Sequence, residues 1–138
     1  MYYSYMNIEV DFSEKIVASG RASLITKLIY LQNQFKIFHW QTFSYAQHEA
    51  FGHLYGQLSD KIDEFVETYQ GIYERLDFSG EMIAFANLRE TNFAMVLSEQ
   101  AATLKTYDEV FTGHSDLLNI RDEMLAVLHK TSYLLTLV

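Results

Sequence analysis

Four residues in the first half of the chain have the types and spacing of metal ligands: His39, His48, Asp63 and Glu67. Mixed imidazole and carboxylate ligation suits iron, with zinc or manganese as substitutes. On a helix Asp63 and Glu67 lie one turn apart, about 6 Å, so both can reach one ion. His48 stands fifteen residues before Asp63, about 22 Å along a helix axis. It cannot reach the same ion within one chain. His39 ends the preceding helix and clusters with His48, away from the carboxylates. A two-fold axis resolves the mismatch. If the second helix pairs with an antiparallel copy, His39 and His48 of one chain face Asp63 and Glu67 of the other, twice over.

The small residues point the same way. On a wheel of 100° per residue, His48, Gly52, Gly56, Ser59, Asp63 and Glu67 share one face, beside the apolar stripe rather than within it. Glycine inside a water-exposed helix costs about 0.5–1 kcal/mol, so Gly52 and Gly56 are read as the place where another helix approaches.

Each residue also has a plainer reading. His39 before Trp40 can simply balance the carbonyl end of a helix. Asp63 and Glu67 can be a solvated face. Gly52 and Gly56 can serve packing inside the monomer, although their offset from the core stripe argues against it. Only the joint pattern favours ligation. His48-Glu49 with His53 superficially matches a zinc-protease motif, but the histidines are five apart and fall about 140° apart around a helix. An in-chain di-iron site needs Glu three residues before His on two helices, and no such pair exists. A weaker fallback joins Asp63 and Glu67 to Glu123 or His129. His53, Asp60 and Glu64 read as solvated, and His114 as a loop residue.

The elements that must position these residues are all helical. The chain has 138 residues, suited to one domain spanning 1–138, with no proline and no cysteine. Thiolate zinc sites and cysteine nucleophiles are thereby excluded. A net charge of −8 argues against phosphate-backbone binding and fits a surface that attracts cations. The start, MYYSYMNIEVDFSEK, shows no secretory signal, and no apolar run is long enough to span a membrane. A soluble, cytoplasmic protein is expected.

A first helix is expected over about Glu14–His39, with Val17, Leu24, Leu28, Leu31, Phe35 and Phe38 as its apolar stripe. Gln41–Ser44 reads as a break, and Ser44 with Gln47 as a capping box. A second helix is expected over about Tyr45–Glu74, its core stripe running from Phe51 through Leu54, Tyr55, Leu58, Ile62, Phe65 and Tyr69 to Tyr73. A crossover of about twenty residues follows, with a turn at Asp77–Gly80 and a short helix over Glu81–Leu88. A third helix is expected over Thr91–Phe111, stopped by Gly113, and a fourth from Asp116 to the end, capped by Ser115. The tyrosine and phenylalanine stripes of these last two read as core. Two antiparallel hairpins joined by one long crossover make an all-α, ferritin-like four-helix bundle.

The stretch FHWQTFSYAQHEAFGHLYGQLSDKIDEFVE resembles the Dps-like miniferritins. It has a helix-ending His-Trp, a second His, an aromatic three residues later, a Tyr, and D-x-x-x-E. The resemblance covers about a third of the chain closely, and the long crossover also matches. It implies that His39 and His48 are ligand histidines and that Asp63 and Glu67 are the partner chain's carboxylates. It implies ferroxidase activity with peroxide or oxygen, iron storage in a hollow homo-oligomer of twelve chains, and Trp40 beside the site to absorb radicals. Three features depart from the family. Gly52 stands where the family often has an acidic ligand, the two histidines are closer in sequence, and no Lys-rich tail is present, so DNA binding is not implied. A divergent branch, such as a phage-encoded one acting in the host cytoplasm, has this form. The rival reading is a metal-free structural or interaction protein that uses the small-residue face of the second helix only for dimerisation.

Overall fold

A computed structural model describes residues 12–138. The N-terminal stretch inspected for a secretory signal lies mostly outside the described residues. The regular elements among those described are all helical, with no strand: α1 spans Phe12–Gln41, α2 Tyr45–Ile72, α3 Phe93–Lys105, α4 Tyr107–Val110 and α5 Ser115–Leu134, with a single 3-10 turn at Leu88–Glu90. No helix among them is long and apolar enough to cross a membrane.

The stripes fold as their periodicity requires. Leu28, Leu31, Phe35 and Phe38 of α1 are buried against Phe51, Leu54, Leu58, Ile62, Phe65 and Tyr69 of α2. Each such side chain contributes about 1.5–3 kcal/mol by leaving water. At one end of the core Phe35, Phe38, Phe51 and Phe93 meet ring to ring. At the other Phe65, Tyr69, Tyr107 and Phe111 do the same. The outer turns of the stripes fray from this core, since Val17 is exposed and Tyr73 lies at the margin.

Side-chain contacts fix the directions. Arg21 near the start of α1 meets Tyr69 and Tyr73 at the end of α2, so the two are antiparallel. Phe93 begins α3 beside Phe51 near the start of α2, so α3 runs parallel to α2. Then α5 returns: Glu123 pairs with Lys61 of α2, and Arg121 reaches the Leu104 carbonyl of α3. The α2–α3 connection must therefore travel the length of the bundle. It is laid along α1 in extended form. Gln34 exchanges two hydrogen bonds of 2.8 Å with the backbone of Ala86, and Tyr30 stacks on Phe85. Gln41, seven residues after Gln34, bonds the Leu88 N–H and the Asn87 side chain.

Several boundaries differ from those expected. The short helix over Glu81–Leu88 is absent, because the Ala86 backbone is paired with Gln34 and only Leu88–Glu90 turns. The third helix is interrupted at Thr106, whose hydroxyl donates to the Thr103 carbonyl (2.6 Å). Buried Arg121 spans the break by donating to Leu104 O (2.9 Å) and pairing with Asp108, two residues beyond it. Ser115 does not cap α5. It is the first helical residue, His114 holds the N-cap position without a side-chain cap bond, and α5 ends at Leu134 rather than running on. Gly113, with φ +87°, sits in the turn between α4 and α5, as a stop signal should. Half of the capping box forms: the Ser44 hydroxyl accepts from Gln47 N–H (3.2 Å), while Gln47 Oε1 accepts from Thr42 instead.

Candidate functional site

The break between α1 and α2 is short, Thr42–Ser44, and it turns the chain back so tightly that the last turn of α1 lies on the first turn of α2. His39 and His48 meet there. Their rings stack at 3.7 Å between centroids and 17° between planes. The hydrogen bonds are reciprocal. His39 Nδ1–H donates to the His48 carbonyl (2.7 Å), and His48 Nδ1–H donates to the His39 carbonyl (2.8 Å). A carbonyl only accepts, so both Nδ1 atoms carry hydrogen, and in each neutral ring Nε2 keeps its lone pair. A ring fixed by an Nδ1–H to backbone carbonyl bond with a free Nε2 is the arrangement that orients metal-ligating histidines. The donor set thus fits a metal on the Nε2 side.

Aromatic groups frame the pair. Tyr45 stacks against His48 (6.4 Å), Tyr55 presents its ring edge-on to His39 (5.3 Å), and the Lys36 ammonium lies over both Tyr55 (5.7 Å) and Trp40 (5.8 Å). Trp40, Phe43 and Tyr45 are all exposed, and Phe43 at the tip of the turn is wholly so. Three large rings thus stand exposed at the end of the bundle that holds the two oriented imidazoles.

Asp63 and Glu67 lie further along α2, exposed and without a hydrogen bond or ion pair to any described residue. Within one chain they are not brought to the histidines, as the length of the rod requires. Among the described residues no three of His, Cys, Asp and Glu lie where they could hold one metal ion. The fallback with Glu123 or His129 does not form, and Glu123 is occupied by Lys61.

Two sequence readings change here. Gly52 is not free to receive a partner helix, because its own chain fills the space. A Cβ at this position would stand 3.2 Å from both Cε1 and Nδ1 of His39. A Cβ at Gly56, by contrast, would meet nothing among the described residues within 4 Å. His53 is not simply solvated either. Its Nε2 is buried without a hydrogen-bond partner among the described residues, and burial, followed by the charge of Lys130, pushes its pKa below the usual histidine value.

Sequence reasoning missed Arg121 and Gln34. A buried arginine inside an amphipathic helix leaves only a polar residue on an apolar face as its signal. Gln34 shows the same signal, falling between Leu31 and Phe35 within the α1 stripe and fully buried.

No solved structure matches the chain. An uncharacterized 14.6 kDa protein from the mobD-ri intergenic region of Enterobacteria phage T4 is similar over 61 residues, at 36% identity. That match covers 44% of this chain and 48% of the phage protein, so the chain spans about half the length of that relative. A family model described as a family of unknown function (DUF5856) matches residues 39–135, which begins at His39 and takes in the turn, all of α2 and the rest of the bundle to α5. The chain belongs to the DUF5856 family.

Proposed function

We propose that this protein is a miniferritin-like iron-binding protein that oxidises Fe(II) at sites shared between two copies of the chain and stores the product in a hollow homo-oligomer. His39 and His48 supply imidazole nitrogen from one protomer. Asp63 and Glu67 supply carboxylate oxygen from the partner, where they stabilise Fe(III) as it forms. Fe(II) and the oxidant, peroxide or oxygen, are substrates. The acidic surface draws Fe(II) inward. Trp40, exposed one residue after His39, stands where it can intercept radicals escaping the site.

The observation that carries this reading is the reciprocal bonding of the two imidazoles to each other's backbone. It orients both rings and leaves both Nε2 atoms as acceptors, an arrangement that a helix-end histidine balancing a dipole does not need. Asp63 and Glu67, two carboxylates one turn apart on α2 without a partner among the described residues, complete the ligand set in a second copy. The topology of two antiparallel hairpins joined by a crossover as long as the bundle supports a ferritin-like fold. A cytoplasmic location, in a host cell if the gene is viral, belongs to the same reading.

Anaerobic Fe(II) titration followed by oxidant tests it. The expected result is an iron-dependent near-ultraviolet absorbance change that is lost in Asp63→Ala and in His48→Ala. No change in the wild type, or an unchanged response in Asp63→Ala, contradicts it. The exposed Trp40, Phe43 and Tyr45, together with Gly56, where an added Cβ would meet nothing among the described residues within 4 Å, favour one rival, a metal-free protein that dimerises through α2. Native mass and metal content after mild purification separate the two, since a metal-free dimer supports the rival and a metal-bearing shell supports storage.

A further inference from the structure

We infer that Gly52 is the residue that positions the His39 imidazole. The ring of His39 lies against the α2 backbone at the one place on that turn where no side chain stands. A Cβ on residue 52 would meet Cε1 and Nδ1 of the ring at 3.2 Å each, tighter than ordinary van der Waals contact. The ring has little room to give. It is held on one side by its 2.7 Å bond to the His48 carbonyl, on its face by His48 at 3.7 Å, and at its edge by Tyr55 at 5.3 Å. An alanine at 52 therefore displaces the ring and lengthens the Nδ1–H to carbonyl bond that fixes its direction.

This gives the glycine a reason that helix stability does not. Gly52 sits inside α2, where alanine is the better helix former. The same substitution at Gly71, in the last turn of α2, where an added Cβ would meet nothing among the described residues within 4 Å, carries a smaller helix gain without the collision. The pair separates positioning from folding, because both substitutions change helix propensity and only the one at Gly52 meets the His39 ring. The metal arm of the test rests on the proposed ligand role of His39. The spectroscopic arm does not.

The experiment compares wild type, Gly52→Ala and Gly71→Ala as full chains. Thermal unfolding without metal is expected to rise by at most about 2–4 °C in Gly71→Ala, since a last-turn position gains only part of the interior helix propensity, and Gly52→Ala is expected to fall short of the gain its interior position would otherwise bring. Nitrogen NMR of the imidazoles is expected to show both rings with hydrogen fixed on Nδ1 in wild type and Gly71→Ala. In Gly52→Ala the His39 signal alone moves toward a mixture of tautomers. Titration with Co(II), read by its visible absorbance, is expected to weaken about 10- to 100-fold in Gly52→Ala, the usual cost of losing an orienting partner of a metal ligand, and to be unchanged in Gly71→Ala. If Gly52→Ala keeps the wild-type His39 signal, the positioning role is overturned, whatever the metal result. If the His39 signal moves but wild type binds no Co(II), the positioning role stands and the iron reading fails.

Discussion

Replacing Gln34 with leucine isolates what holds the long crossover to the bundle. Gln34 is fully buried, and its carboxamide treats Ala86 as a strand would: the Ala86 N–H donates to Oε1 and Nε2–H donates to the Ala86 carbonyl, both at 2.8 Å. Two hydrogen bonds at about 0.5–1.5 kcal/mol net each set an upper range of about 1–3 kcal/mol. Ala86 is exposed, so water replaces the lost partner and the penalty for an orphaned buried group does not apply. Leucine also keeps the volume and adds apolar burial. The expected loss is therefore near the bottom of the range, about 1 kcal/mol, measured by urea unfolding with an unchanged slope. Hydrogen exchange is the sharper assay. The Ala86 amide should lose protection in Gln34→Leu while Leu88, bonded to Gln41 Oε1 at 2.8 Å, keeps much of its own. Equal protection of Ala86 in both proteins would refute the idea that this side chain fastens the crossover.

Other expectations follow from particular contacts. Arg121→Met should cost about 1–3 kcal/mol in urea unfolding, because it leaves the Leu104 carbonyl short of its donor at the α3–α4 break. Asp108→Ala should cost about 0–1 kcal/mol, since that carboxylate is mostly solvent-exposed. The depressed pKa of His53 means that the unfolded chain takes up a proton near the ordinary histidine value of 6.5 while the folded chain does not. Stability should therefore fall as pH drops through and below that value, and His53→Leu should flatten the slope of Tm against pH. If two copies of α2 cross at the open face of Gly56, Gly56→Leu should lower the native mass without reducing helix content by circular dichroism.

Much of this was legible because helical periodicity is a strong signal. The stripe from Phe51 to Tyr69 fixed the buried face of α2, and Gly113 marked a turn that needs positive φ. The meeting of His39 with His48 followed from the short break between two long helices. What was hidden depended on tertiary pairing. Nothing local distinguishes Gln34 as the partner of a backbone 52 residues away, so the crossover read as a place for another helix. Thr106 is an unremarkable helix residue until Arg121 arrives from α5 beside it. Gly52 and Gly56 looked alike on a wheel, and only the folded-back His39 ring tells them apart.

A crystal structure of the assembled protein soaked with Fe(II) or Co(II), with the metal located by its anomalous scattering, bears most directly on the shared site. The expected map has a peak within about 2.0–2.2 Å of an imidazole Nε2 of His39 or His48 and of a carboxylate oxygen from Asp63 or Glu67 of an adjoining copy. An assembly in which those carboxylates lie far from every neighbouring imidazole, with no metal on either Nε2, contradicts it.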